Sequence, residues 1–291
     1  MLDQLIRKAH SAKSIKDVKK LAEGVVYSPE LEGELYRELI NMPVYDKQQK
    51  QFLGLLVGKF YGSDVADVFD IDYFGFGSDG LKLLGKNLRS DNILSCSSNA
   101  LIAGCKFEGD YICERSRHAY VRNSKFLGED VFRGSKNVVI ENSESLGHDF
   151  GRHSKNMIFI DGVLRGDHAL SHIRGLKVVN SEFYGHNNFC TSEHIAAFCP
   201  YINCIVNPKG GIIIAKRLDY VEINEEIFDP SNTKIFAVDY PGNKYTNIIK
   251  IKKSDVAGKW DSENLEERLI YICRKYNVKI PDFLCETRMK L

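Results

Sequence analysis

Apolar residues at helical spacing mark both ends of the chain. Ser14 and Ser28 are typical N-cap residues, because Asp17 follows Ser14 by three positions and Pro29 stands directly after Ser28. The apolar positions of the first helices are Val18, Leu21 and Val25, then Leu31, Leu35 and Leu39, then Phe52, Leu55, Leu56 and Phe60. The stripe near the other end consists of Leu265, Leu269, Ile272, Cys273 and Tyr276. This pattern predicts helices before residue 70 and one amphipathic helix near the C-terminus.

A repeat of 19 residues fills the middle of the chain. Glycine recurs at this interval, at Gly109, Gly128, Gly147, Gly166 and Gly185. The four units between them read DYICERSRHAYVRNSKFLG, EDVFRGSKNVVIENSESLG, HDFGRHSKNMIFIDGVLRG and DHALSHIRGLKVVNSEFYG. A period this strict over consecutive units is typical of a solenoid in which each unit forms one coil.

The positions of each unit, counted from 1 after the glycine, alternate between apolar and polar. Positions 10 and 12 hold Ala119 and Val121, Val138 and Ile140, Met157 and Phe159, and Leu176 and Val178. Position 14 holds Asn123, Asn142, Asp161 and Asn180, and position 17 holds Phe126, Ser145, Leu164 and Phe183. A period of two indicates a strand with one face inward. Because one unit cannot fold alone, its strand must pair with the next coil, about 4.8 Å away. The chirality of parallel connections favours a right-handed coil.

The predicted fold is an all-β solenoid core, a single-stranded right-handed parallel β-helix of 19-residue coils, with α-helical N-terminal and C-terminal caps. We expect the helical N-terminal cap at 1–70, the β-helix at 71–230, and a C-terminal extension with one amphipathic helix at 231–291. Both sets of helices are expected to cover the open strand edges. The asparagine column is expected to form hydrogen bonds along the axis. The glycine column marks a bend that needs either a positive φ or close backbone approach.

The last coils are less regular. Cys199 and Pro200 are expected at the bend of the coil at 186–204. An insertion near 205–211 is expected to break the register, which Val221, Ile223 and Phe228 then resume.

Composition excludes several classes of protein. The formal net charge of +1 excludes the overall basic character of a general nucleic-acid binder. No apolar run reaches the length that spans a bilayer, and the first residues lack the pattern of a signal peptide. We therefore expect a cytoplasmic protein without membrane contact. None of the eight cysteines forms a CxxC pair, so we expect reduced thiols packed as small apolar groups, and no cofactor.

The repeat resembles two known families over roughly residues 90–204. Ser135-Lys136-Asn137-Val138 and Ser154-Lys155-Asn156-Met157 are similar to the S-K-N-V-x-I-x-N-S-x-x-x-G units of uncharacterised bacterial right-handed β-helix proteins. More distantly similar is the β-helix domain shared by the large chain of glutamate synthase and one of the chains of formylmethanofuran dehydrogenase, with units that carry G-x-x-G-x-x-x-G. Only the last glycine of that motif recurs in each unit of this chain. Both resemblances imply the fold, and neither implies catalytic residues.

Positions 1 and 2 form a polar corner, which we define as Glu129, Asp130, His148, Asp149, Asp167 and His168. Carboxylates and imidazoles stacked on successive coils are ligands for a divalent cation, or an acid and a base. The candidate metal ligands are Glu129, His148, Asp167 and His168, and the candidate catalytic residues are Glu129, Asp149 and Asp167. The alternative is a solvated turn, in which alternating His and Asp relieve the repulsion between like charges.

Position 8 forms a cation column, which we define as Arg117, Lys136, Lys155 and Arg174. Stacked like charges favour an anionic ligand such as a phosphate group, an acidic glycan or a nucleic-acid backbone. Nucleic acid is disfavoured because no aromatic residues interleave the strip. The alternative is a solvated face that discourages edge pairing. His153 and His172 are predicted to be neighbours in an adjacent column.

Two classes of function follow from these columns. The first is an intracellular binding or assembly scaffold, with a protein partner or self-association and an anionic ligand on the cation column. The second is a carbohydrate-active lyase or hydrolase with a carboxylate, histidine or cation site on the solenoid surface. The short units and the lack of a recognised catalytic motif favour the first, and the sequence leaves open whether the protein is an enzyme.

Overall fold

The repetitive middle of the chain forms a parallel β-solenoid in which each regular coil contributes one strand to each of two ladders. The computed structural model describes residues 2–40, 45–61, 72–224, 232–242, 248–280 and 284. The first ladder consists of β1 (Lys82–Leu84), β3 (Leu101–Ala103), β5 (Tyr120–Arg122), β7 (Lys136–Glu141), β9 (Lys155–Ile160) and β11 (Arg174–Val179). The second consists of β2 (Asn87–Leu88), β4 (Lys106–Phe107), β6 (Lys125–Phe126), β8 (Glu144–Ser145), β10 (Val163–Leu164) and β12 (Glu182–Phe183). Both ladders are parallel, which confirms the predicted architecture.

The register confirms the 19-residue coil and its inward positions. Val138 pairs with Met157, and Met157 pairs with Leu176, and all three side chains are buried. At position 17, the rings of Phe107 and Phe126 stack with centroids 5.1 Å apart and nearly parallel planes. The apolar core therefore runs along the solenoid axis as columns of equivalent residues.

The glycine column is required for close approach of neighbouring coils. A Cβ atom on Gly147 would lie 1.9 Å from the carbonyl oxygen of Gly128. A Cβ atom on Gly128 would lie equally close to the carbonyl oxygen of Gly109. None of the repeat glycines has a positive φ. Of the two reasons that the sequence allows, close approach is therefore the one that applies.

The segment between the polar corner and the first ladder is held by hydrogen bonds in both axial directions. Asp130, Phe132 and Gly134 have left-handed φ values of 54°, 60° and 66°. The N–H groups of Asp130 and Gly134 donate forward to the next coil, at 3.2 and 2.8 Å, and the N–H of Phe132 donates back to Ile112 at 2.8 Å. Alternating backbone conformations thus turn successive N–H groups in opposite directions and close the third side of the coil without a strand.

The last coils change length, and the sheet continues past residue 230. The strands are β13 (Glu193–Val206), which belongs to both ladders, β14 (Gly211–Glu222), β15 (Thr233–Asp239) and β16 (Ile248–Lys250). Ile195 pairs with Gly211, only 16 residues away, so the segment near 205–211 belongs to a shortened coil rather than an insertion. Pro200 lies inside the continuous strand β13 and not at a bend. Phe228, which was expected to resume the register, lies outside the described residues.

The N-terminal helices cap the first coil, as predicted. They are α1 (Leu2–His10), α2 (Ile15–Glu23), α3 (Pro29–Ile40) and α4 (Lys47–Tyr61). The Ser14 hydroxyl accepts a hydrogen bond from the N–H of Asp17, and Ser28 accepts one from Leu31. Gly54 and Gly58 let α4 lie directly on the coil, because a Cβ on Gly54 would stand 2.2 Å from the carbonyl oxygen of Tyr73. The buried residues of these helices join the core of the solenoid.

The C-terminal helix α5 (Leu265–Lys275) covers the outer face of the sheet rather than its open edge. Leu265 and Leu269 pack with outward residues of the first ladder in a second apolar core, where the ring of Trp260 stacks on Phe198 at 4.0 Å. The end of α5 is fixed by Asp255, whose side chain is 1% exposed and lies 2.5 Å from the Lys275 ammonium. Hydrogen bonds from Lys275 and from the Tyr276 hydroxyl lower the pKa of Asp255 to about 2.

Candidate functional site

Several side chains at position 1 of the repeat accept hydrogen bonds from the backbone of the next coil. The Asp110 carboxylate accepts the N–H of Glu129 at 2.7 Å, and the Asp167 carboxylate accepts the N–H of His186 at 2.7 Å. His148 acts in the same way, since its Nδ1 accepts the N–H of Asp167 at 3.0 Å. The stacking of His148 and Asp167 on successive coils is therefore part of how the corner is built.

The side chains at position 2 have partners of their own. Asp130 forms an ion pair with Arg133 at 3.2 Å, and Asp149 forms one with Arg152 at 3.0 Å. The side chains of His168 and Asn187 form a hydrogen bond of 3.0 Å between their nitrogen atoms. Each group thus faces a neighbour on the same turn or the next coil.

No cation site emerges from the polar corner. The nearest approach of His148 to a carboxylate is 3.8 Å, from its Nδ1 to Asp167 Oδ2. Across the described ranges, no group of three or more His, Cys, Asp or Glu side chains is arranged to hold a metal ion. The metal and catalytic roles considered for Glu129, His148, Asp149, Asp167 and His168 stay predictions, and this geometry gives them no support.

The cation column is assembled as the sequence predicts. Arg117 pairs with Lys136, Lys136 with Lys155, and Lys155 with Arg174, so the four side chains occupy successive rungs about 4.8 Å apart. All four are exposed. In the part of the chain that the structure describes, none of them contacts a carboxylate. Lys125 offers a contrast on the other ladder, because it forms an ion pair with Glu144 at 3.0 Å.

A left-handed residue turns the cation column outward. Strict alternation would point position 8 inward, together with positions 10 and 12. Asn137 and Asn156, at position 9, have φ of 55° and reverse the alternation at this point. Their side chains form a ladder in which Asn156 Nδ2 donates to Asn137 Oδ1 at 3.0 Å. Asn142 donates to Asn123 at 2.7 Å, which confirms the expected asparagine hydrogen bonds at this pair of coils.

The predicted histidine pair lies beside the cation column. The rings of His153 and His172 stack with centroids 4.7 Å apart and planes 20° from parallel. Partial burial lowers the pKa of both imidazoles, and the charge of Arg152 lowers it further. The Nδ1 atom of His172 also contacts the Thr191 hydroxyl. The pair thus favours neutral, stacked rings.

A row of apolar side chains on the outer face was missed by the sequence reasoning. This open row, at position 11, consists of Leu101, Tyr120, Val139 and Ile158. All four are partly exposed. The sequence could have shown this row, because position 11 lies between the inward positions 10 and 12 and is apolar in several repeat units. Tyr120 places one aromatic ring at this outward position, and its hydroxyl donates to Glu141 at 2.5 Å.

Among the described helices, none has the length and apolar character needed to cross a membrane. The seven cysteines within the described ranges form no disulfide bond with one another.

Comparison with known proteins gives the family and nothing finer. The chain matches no curated protein and no solved structure. The resemblance to the glutamate synthase and formylmethanofuran dehydrogenase domain therefore stays a prediction. A family model covers residues 65–236, more than half of the chain, and the protein belongs to that family, described as "Protein of unknown function (DUF3737)".

Proposed function

We propose that this protein is a binding module that docks an acidic partner protein on the cation column. The observation that supports this function is the exposure of four cations on successive rungs, none of which forms an ion pair in the described ranges, although Glu193 follows Arg174 on the next rung. Other lysines on the solenoid, such as Lys106 and Lys125, are paired with glutamates. The cation column thus differs from the stacked lysines of the second ladder.

The electrostatics favour an extended anion over a single one. Two unit charges about 5 Å apart in water repel by a little under ~1 kcal/mol. The column has three neighbouring pairs of cations, so a single anion on one interior residue relieves two of these repulsions and leaves the third in place. An anionic chain that spans all four rungs removes the repulsion along the whole column and gains an attraction at each rung.

An acidic protein fits this surface better than a nucleic acid does. The chain has a net charge of +1, so no general excess of positive charge attracts a polyanion, and the stacked cations form a single narrow column. Single-stranded nucleic acids are normally bound by rows of aromatic rings on which bases stack. Tyr120 is the one aromatic residue in the adjacent open row, and its hydroxyl is engaged by Glu141.

A direct test measures binding of a fluorescein-labelled oligo-glutamate peptide by fluorescence anisotropy at low ionic strength. The test variant is Lys136→Gln with Lys155→Gln, and the matched control is Lys106→Gln with Lys125→Gln, which removes the same charge elsewhere on the solenoid. We expect the test variant to bind roughly tenfold more weakly, and the control to change affinity less than about twofold. Equal loss in both variants would show attraction to the overall charge only, and would contradict the proposal.

A further inference from the structure

The helix α5 is an example of a helix that packs on the outer face of this solenoid. Near the start of α5, Glu266 forms an ion pair with Lys177 at 2.7 Å. Directly after the end of α5, the ring of Tyr276 packs against the ring of Phe236 with centroids 6.3 Å apart. Lys177 lies on β11 and Phe236 on β15, three rungs further along the solenoid. The ten residues from Glu266 to Tyr276 rise by about 15 Å and three rungs span about 14 Å, so α5 runs along the solenoid axis, with its start over position 11.

The open row continues the same track beyond the start of α5. Ile158 pairs directly with Lys177, the residue that α5 contacts. Val139, Tyr120 and Leu101 follow on the next rungs and stay partly exposed. The apolar track of the outer face is therefore covered along one half and open along the other.

The cation column flanks the open half of this track. Arg117, Lys136 and Lys155 stand on the rungs of Tyr120, Val139 and Ile158. On the rung after Arg174, where α5 covers the face, position 8 changes to Glu193. Apolar surface and unpaired cations thus coincide on the same rungs, so a ligand for this face needs an apolar side and an acidic side.

We propose that the open row and the cation column together form a groove for an amphipathic helix of a partner protein, with an apolar stripe and an acidic flank. The helix lies along the solenoid axis, in line with α5. This inference rests on the proposed function, because it specifies the form of the acidic partner.

The spacing of the rungs supports a helix over an extended peptide. Acidic residues three or four positions apart on a helix rise by about 4.5–6 Å, which matches rungs about 4.8 Å apart. In an extended peptide, side chains on one face recur every ~6.6 Å and would lose register with the cations after one or two rungs. Position 8 lies about 10 Å from position 11 along the same strand, so a helix with a diameter of about 10–12 Å that lies perpendicular to the strands reaches both.

The test compares two labelled synthetic peptides of about 15 residues with the same leucine and glutamate composition. In one, leucines recur at i, i+3, i+4 and i+7 with glutamates on the adjoining flank, and in the other the same residues are scrambled. The protein variant is Val139→Ser with Ile158→Ser, and the control is Leu146→Ser, an exposed leucine that directly follows β8. We expect the amphipathic peptide to bind roughly tenfold more tightly than the scrambled one, and only Val139→Ser/Ile158→Ser to remove that preference. Circular dichroism is expected to show helix gained on binding.

The outcomes separate this inference from the function on which it rests. Equal binding of both peptides, with the loss on Lys136→Gln/Lys155→Gln kept, would overturn the helix groove and leave the acidic partner intact. Loss of the lysine effect would overturn both. A concentration-dependent dimer in sedimentation velocity that Val139→Ser/Ile158→Ser converts to monomer would show a second copy of this chain in the groove, and would contradict the partner helix.

Discussion

The polar corner and the cation column are both rows of charged side chains stacked along the solenoid, yet they differ in what their side chains contact. In the polar corner, Asp167 and His148 accept backbone N–H groups of the following coil, and Asp149 pairs with an arginine three residues away. In the cation column, Lys136 and Lys155 contact no carboxylate in the described ranges. In a repeat fold, therefore, a charged column points to a binding function only when the coil itself does not use its side chains.

The largest expected effect on stability comes from a substitution in the glycine column, beside the polar corner. In Gly147→Ala, the new Cβ would lie 1.9 Å from the carbonyl oxygen of Gly128, so neighbouring coils must separate. We expect a loss of about 3 kcal/mol or more in the free energy of unfolding, or failure to fold. Gly24→Ala is the control, because a Cβ there meets nothing nearer than 3.7 Å and φ is −73°. A Gly147→Ala protein as stable as the control, measured by urea unfolding, would contradict a structural role for this bend.

Asp167 tests whether the polar corner is structural in its side chains as well. Asp167→Ala leaves the His186 N–H without its acceptor and is expected to cost about 1 kcal/mol of unfolding free energy. Asp167→Asn keeps an acceptor oxygen and is expected to retain most of that stability. The measurement is urea unfolding of both variants. If Asp167→Ala unfolds like the wild type, the carboxylate does not stabilise the polar corner, and the contrast between the two columns fails.

The stacked histidines predict a pH dependence near the cation column. Because the pKa of His153 and His172 is lower in the folded protein, protonation favours unfolding. This contribution to stability is complete above the unfolded pKa of about 6.5 and declines as the pH falls below it. We expect His153→Asn/His172→Asn to flatten this decline between about pH 7 and 5, and asparagine suits the left-handed φ of both positions. An unchanged profile, followed by thermal unfolding, would show that the pair does not titrate as described.

Neutralising the cation column is expected to have the smallest effect on stability. In Lys136→Gln/Lys155→Gln, loss of like-charge repulsion raises the unfolding free energy by a few tenths of a kcal/mol at low salt. The gain disappears at high salt, where exposed charges are screened. A loss greater than about 1 kcal/mol in urea unfolding would mean that these lysines stabilise the coil, and would remove the contrast with the polar corner.

Much of the fold follows from local pattern, because a repeat makes the same physical demand many times. The interval between Gly128 and Gly147, together with the buried pairs at positions 10 and 12, predicts the ladders and their register. The local pattern does not predict which part of the outer face is covered. The residues that bind α5, such as Phe198 and Ile214, lie at outward positions, and nothing local shows that a helix distant in sequence will cover them.

The sequence predicted which residues of the candidate site stack in columns, but not what those side chains contact. The members of the polar corner and of the cation column follow from their positions in the 19-residue repeat. Alternation predicts neither the hydrogen bond from the next coil's N–H to a carboxylate such as Asp167 nor the left-handed backbone at Asp130 and its equivalents. The buried serine ladder is a further example, in which Ser154 Oγ accepts the N–H of Ser135 at 2.9 Å and donates to Phe132 at 2.7 Å.

The most direct test of the difference between the two columns is two-dimensional amide NMR of the ¹⁵N-labelled protein, titrated with the oligo-glutamate peptide. Shifts confined to the rungs of Arg117, Lys136, Lys155 and Arg174, with no change at Glu129, His148 and Asp167, are the predicted result. Shifts centred on the polar corner, or absent from the cation column at saturating peptide, would contradict the account.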